Sequence, residues 1–231
     1  MCGRFTLTGA DPRQLEARFG VAMPDPLDRL LGRFNAAPGQ EVLIIHAVDD
    51  GDRVAEAARW GLVPAWAPDL KTGYRMINAR SETVLESRAY GPLVRSSVRR
   101  CLIPADGFFE WTGPGEAGGP KRPVRFTVDE GQTFAMAGLC TEREWEGKRL
   151  VSCTVITVEA NEAVAPIHDR MPAILPDRVQ EAEWMDDTTS PQGARAILNP
   201  LDPARLSSRM ANTALNRVGA VPEGPDLLEP L

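Results

Sequence analysis

Arg100-Cys101-Leu102-Ile103-Pro104-Ala105-Asp106-Gly107-Phe108-Phe109-Glu110-Trp111 is the stretch that decides the fold class. It is strand-like sequence, apolar and aromatic, interrupted at Pro104 and Gly107. Working outward, residues 124–128, 133–139 and 150–158 share its β-branched and aromatic character. Residues 41–48 and 53–60 read as a hairpin around Asp49-Asp50-Gly51-Asp52. Helical signals are short and marginal. Asp11-Pro12 opens a helix that runs through Phe19 and stops at Gly20. Residues 83–90, 177–185 and 192–198 are further helical candidates, and 61–73 and 113–120 read as loop and exposed turn. Strands dominate without a regular βαβα alternation, so the chain reads as α+β with a mostly antiparallel sheet.

At 231 residues, with 43% hydrophobic and 25% charged residues, the chain has the composition of one globular domain. That excludes a disordered, collagen-like or coiled-coil chain. The longest apolar run, Val42 to Ile45, is too short to span a bilayer. The N-terminus, Met1-Cys2-Gly3-Arg4-Phe5-Thr6, lacks a basic segment followed by an apolar run, so the expectation is a cytoplasmic protein with no membrane partner. The four cysteines have no C-x-x-C spacing and only His46 and His168 accompany them, which predicts no metal site. Cys101, Cys140 and Cys153 lie in apolar strand-like runs and read as buried small hydrophobes.

The net charge of −6 argues against a nucleic-acid partner if taken whole. Its distribution argues the other way. Residues 1–125 carry +2 and residues 126–231 carry −8, while Lys71 to Arg100 alone holds +5. A local basic stripe is what an anionic ligand meets.

Five blocks carry chemistry. Once Met1 is removed, Cys2 has an α-amine and a thiol on adjacent carbons, with ordinary pKa values of about 8 and about 8.5. Both are then partly nucleophilic at neutral pH. An aldehyde condenses with the amine, and the thiolate closes a thiazolidine, which no internal cysteine can do. In Met76-Ile77-Asn78-Ala79-Arg80-Ser81-Glu82, Asn78 and Arg80 share one side of an extended segment and offer an amide and a guanidinium fork. In Asp106-Gly107-Phe108-Phe109-Glu110-Trp111, aromatic neighbours invite desolvation of Glu110, which suits a general acid/base. In Ile167-His168-Asp169-Arg170-Met171-Pro172, His168 is suited to moving protons near neutral pH. The fifth block pairs Asn35-Ala36-Ala37-Pro38 with Trp60-Gly61-Leu62-Val63-Pro64-Ala65-Trp66, whose loop edges suit stacking on unpaired bases. Trp60 favours a packing role, as does His46, whereas Trp66 lies between two prolines.

In this order the blocks resemble the SOS-response-associated peptidase family, whose domain is called SRAP and whose members process abasic sites in DNA. The resemblance runs from Cys2-Gly3-Arg4-Phe5 to His168-Asp169-Arg170-Met171-Pro172. It implies a strongly curved or barrel-like, mostly antiparallel sheet core with peripheral short helices. It implies a single domain over residues 1–218, with 219–231 a flexible C-terminal tail. The implied activity is a thiazolidine cross-link between Cys2 and an abasic site in single-stranded DNA, after self-cleavage of Met1, with a lyase-type activity beside it. The implied catalytic residues are Cys2, Asn78, Glu110 and His168. The implied DNA contacts are Arg4, Pro38, Trp66, Arg80 and Arg170. No cofactor is implied; the partner is single-stranded DNA containing abasic sites, and the protein acts as a monomer in the cytoplasm, on the nucleoid. The family's Pro-Val-Ser strand with Val-Asn is replaced here by Leu206-Ser207-Ser208-Arg209-Met210-Ala211-Asn212. Two other readings fit Cys2 and the basic stripe: an N-terminal-nucleophile cysteine amidohydrolase, and a non-covalent single-stranded DNA binding module.

Overall fold

The computed structural model describes residues 2–9, 11–48, 51–113, 121–219 and 222–230. Among these residues thirteen strands form two sheets: β1 (Phe5–Leu7), β2 (Arg33–Ala36), β3 (Glu41–Ala47), β4 (Arg53–Trp60), β5 (Asn78–Arg80), β6 (Arg100–Ala105), β7 (Gly107–Trp111), β8 (Pro123–Val128), β9 (Phe134–Trp145), β10 (Lys148–Glu159), β11 (Arg170–Pro172), β12 (Ile174–Leu175) and β13 (Leu206–Met210). Four short helices accompany them among the described residues: α1 (Pro12–Phe19), α2 (Gly91–Val94), α3 (Arg178–Met185) and α4 (Pro191–Ala196).

Strands β4, β3, β6, β9 and β10 pair in a closed ring, because β10 pairs with both β9 and β4. The fold is therefore α+β and barrel-like. The barrel is antiparallel except where β10 runs parallel to β4 and, outside the ring, to β5. The second sheet is wholly antiparallel, in the order β13-β8-β7-β1-β2. Residues Val42 to Ile45 are all buried, as expected of a barrel strand with both faces covered.

The stretch from Arg100 to Trp111 joins the two sheets. Pro104 is tolerated in β6 where β3 no longer pairs with it. Asp106 then breaks the run. Its buried carboxylate accepts hydrogen bonds from the Thr6 hydroxyl (2.5 Å), the Thr8 amide (2.5 Å), the Gly9 amide (2.8 Å) and Arg125 (3.1 Å). Gly107 follows because a Cβ there would meet Arg125 Nε at 2.6 Å and Thr6 Oγ1 at 2.9 Å. This corner sends the chain from barrel to second sheet and fixes β1 against β7.

Helix α1 starts and stops where the sequence indicates, with Asp11 accepting from Gln14 N and Gly20 in the left-handed region. Residues 83–90 are turns, not a helix, because the Ser87 hydroxyl accepts from the Ala89 and Tyr90 amides and competes with helical bonding. Strands β9 and β10 run well past the expected apolar segments, to a two-residue turn at Glu146 (φ 51°) and Gly147 (φ 73°). The departing segment Leu206–Met210 is β13, paired along β8. Residues 222–230, expected as a loose tail, dock on the second sheet: Leu227 is buried with Phe109 and Leu215, and Glu223 accepts from the Phe34 and Asn35 amides. The expected turn at 113–120 falls largely outside the described residues, as does half of the turn at 49–52. Among the described residues no helix is long and apolar enough to cross a membrane.

Candidate active site

The site forms where the N-terminus crosses between the two sheets. Phe5 packs on Trp60 with ring centroids 5.1 Å apart, so β1 is pinned to the barrel end. Trp60 is buried and donates to the Ile77 carbonyl at 3.0 Å, the packing role its sequence position favours. Phe5 pairs with Phe108, and continuing that register sets Gly3 opposite Glu110. Strand β5 pairs in parallel with β10 just past the end of β4.

Cys2 is fully buried, and its thiol lies 3.8 Å from the Arg4 carbonyl. Asn78 Nδ2 donates to the Cys2 carbonyl at 2.8 Å. Asn78 Oδ1 is buried and accepts no hydrogen bond among the described residues. Burial, and then the Glu110 carboxylate, push the Cys2 thiol pKa well above its ordinary value. This holds for the chain that still carries Met1, in which the buried Cys2 sulfur keeps its proton.

Glu110 is 2% exposed, and burial raises its pKa to about 7. The carboxyl is therefore divided between acid and base forms near neutrality. His168 precedes β11, and burial lowers its pKa. Its Nδ1 accepts from the Arg170 backbone amide at 2.9 Å, which assigns the proton of the neutral ring to Nε2. Asp169 also lies 2.9 Å from Nδ1, a contact that bonds only when the ring is protonated.

Gly3, Arg4, Glu110 and His168 line one cavity of about 480 Å3 together with Trp111, Lys121 and Asn216. Arg4 Nη1 donates to Asn35 Oδ1 (3.0 Å) and the Leu215 carbonyl (2.6 Å), and its guanidinium lies 5.6 Å from the Trp111 ring centroid. Trp111 Nε1 donates to Asn216 Oδ1 at 2.6 Å, and Asn216 donates on to the Lys121 carbonyl. Sequence reasoning missed this wall. Its signal was Asn212, which accepts from Ala214 N and caps the turn Thr213–Asn216.

The other expected contacts lie outside this cavity's lining. Arg80 is exposed on β5, two residues from Asn78. Pro38 is half-buried just beyond β2. Trp66 is 66% exposed on a loop that closes where the backbones of Gly61 (φ 117°) and Gly73 meet; a Cβ on either would lie 2.6 Å from the other's carbonyl oxygen. Arg143 holds that loop by donating to the Pro64 and Ala67 carbonyls, both at 2.9 Å. Arg170 is turned inward. Its guanidinium makes a bidentate pair with Glu82 (2.8 and 3.0 Å) and donates to the Thr157 carbonyl at 2.7 Å, so its side chain anchors the His168 turn and is not offered to a ligand. Within the basic stripe, Arg100 is likewise buried, against Trp184 and the Asp186 carbonyl, whereas Lys71, Arg75, Arg80 and Arg88 are exposed. No group of His, Cys, Asp or Glu among the described residues is arranged to hold a metal ion.

The SOS response associated peptidase (SRAP) family model matches residues 1–218. The chain is 37% identical over 234 residues to the abasic site processing protein YoqW of Bacillus subtilis (strain 168), covering 99% of each chain. It is 38% identical to YoaM of the same organism over 221 residues, 94% of this chain and 93% of that one. It is 33% identical to the Gallus gallus abasic site processing protein HMCES over 205 residues, 79% of this chain and 59% of the longer relative. A Bacteroides thetaiotaomicron crystal structure of 22% identity superposes over 100% of both chains with a TM-score of 0.84, a likeness of fold. With Gly3, Arg4, Glu110 and His168 lining one cavity and the family match running from residue 1 to 218, the chain belongs to the SOS response associated peptidase (SRAP) family.

Proposed function

We propose that this protein recognises abasic sites in single-stranded DNA and links them covalently to its own N-terminal cysteine. The observation that carries the reading is that Gly3, Glu110 and His168 line one open cavity next to the buried Cys2, whose carbonyl accepts from Asn78. The names of relatives spanning almost the whole chain support the choice of lesion.

Hydrolysis of the Met1–Cys2 peptide bond frees the amine, and Asn78 Oδ1 is the acceptor that holds it. Self-cleavage is the peptidase activity of this reading. The abasic sugar is mostly a closed hemiacetal, so its ring must open first. Glu110 in its protonated form donates to the ring oxygen as the C1′–O4′ bond breaks, and its carboxylate takes up the proton of the C1′ hydroxyl, leaving the aldehyde. The amine then adds to the aldehyde carbon and water departs, giving an imine. The sulfur adds to the imine carbon, its proton passes through Glu110 to the nitrogen, and the five-membered ring closes. His168, neutral with its proton on Nε2, relays protons at the cavity mouth, including those of the lyase-type side reaction in which the imine loses a C2′ proton and the 3′ phosphate. Arg4 and Arg80 meet phosphates, while Pro38 and Trp66 engage flanking bases. None of these steps calls for a cofactor, and one chain acting as a monomer suffices.

Abasic single-stranded DNA incubated with the mature protein is expected to give a species that survives denaturation on a gel. Cys2→Ala abolishes it. A variant that cross-links at the normal rate contradicts the mechanism. Complexes that dissolve in high salt and detergent would mark a non-covalent binder, and turnover of small amides without any adduct would mark an amidohydrolase.

A further inference from the structure

Strand β2 is the free edge of the second sheet, and it is bulged. Phe5 pairs with Ala36 and Leu7 with Arg33, so β2 carries one residue more than β1 between the two pairs. In a regular strand, consecutive amides point to opposite sides. At this bulge the Phe34 and Asn35 amides converge on a single oxygen, Oε2 of Glu223, at 2.6 and 2.9 Å. Arg33 Nε lies 3.7 Å from the other oxygen. Two convergent amides beside a guanidinium form an anion site, and the same donors suit a phosphodiester oxygen.

The bulge adjoins the candidate active site. Asn35 Oδ1 accepts from Arg4, which lines the reaction cavity. On its outer side Arg29, Arg33, Asn35, Gln40 and Glu223 border a second cavity of about 350 Å3. Glu223 lies beyond residue 218, where the family match ends. Its segment is anchored separately through buried Leu227, so the carboxylate can swing away while the segment stays docked. The Glu223 side chain is 38% exposed, which keeps its ion pair weak.

We propose that the bulged edge of β2 is a phosphodiester subsite for the DNA strand entering the cavity, and that Glu223 is its built-in competitor. The inference rests on the single-stranded DNA reading above. The test is binding of lesion-free single-stranded DNA, followed by fluorescence anisotropy across a salt series. Full-length wild type, Glu223→Gln, Glu223→Ala and Arg33→Ala are compared, with thermal unfolding in parallel. Both Glu223 variants are expected to bind about two- to fivefold tighter, the size of one exposed ion-pair exchange. Their salt slope steepens by about 0.7, one more phosphate neutralised. Arg33→Ala binds more weakly. Glu223 variants that bind like wild type overturn the subsite and leave the DNA reading intact. Variants that lose stability and bind no tighter assign Glu223 to tail anchoring, with the same consequence. Wild type that does not bind at all overturns the DNA reading, and the subsite with it.

Discussion

Glu110 is held where its charge is disfavoured, and that position has two measurable consequences. Its folded pKa of about 7 lies above the ordinary 4.5, so the protonated form favours the fold. That contribution is complete below pH 4.5 and is lost as pH rises through 7, a difference of roughly 3 kcal/mol. Glu110→Gln cannot ionise. It is expected to be more stable than wild type at pH 8 by an amount of this order, with the gap closing below pH 4.5. Urea unfolding at the two pH values checks this, and an equal gap at both would contradict it. The same substitution is expected to slow cross-linking about 100-fold and to erase the decline in rate above pH 7. The aromatic setting of Glu110 was legible in Phe108, Phe109 and Trp111. The commitment of Arg170 to Glu82 was not, because that partner lies 88 residues away. Nor was the burial of Arg100, which depends on α3 packing over β6.

Among the elements, the corner at Asp106 does most to present the N-terminus. One buried carboxylate gathers the Thr6 hydroxyl, two backbone amides and Arg125, tying β1 to the start of β7. Asp106→Ala strands those donors and is expected to cost about 3–5 kcal/mol in urea unfolding. Cross-linking should fall with it, since Cys2 sits three residues before β1; a loss under 1 kcal/mol would remove the corner from the account. The apolar strands were legible because β-branched runs between turn residues have few alternatives. The tip of β9 and β10 was hidden by its charges, which form ion pairs across the surface: Arg149 with Glu142 and Glu56, and Arg99 with Glu142. Closure of the barrel was hidden as well. It depends on Ser152 and Cys153 pairing in parallel with Arg59 and Trp60, a non-local match that no local pattern encodes.

Over the whole molecule, the net charge of −6 describes no single surface. The exposed part of the basic stripe runs through Lys71, Arg75, Arg80, Arg88 and Arg95, on both sides of Asn78 in sequence. Acidic residues of the C-terminal half pair with arginines far from the cavity, as Glu181 does with Arg18. The proposed point of attachment is Cys2, freed of Met1. Intact mass spectrometry before and after incubation with abasic single-stranded DNA reads both parts of that proposal. The expected result is a chain lacking Met1, which then gains the mass of one DNA strand less one water, and no gain in Cys2→Ala. A chain that gains the strand while keeping Met1, or a Cys2→Ala protein that gains it equally, would contradict it.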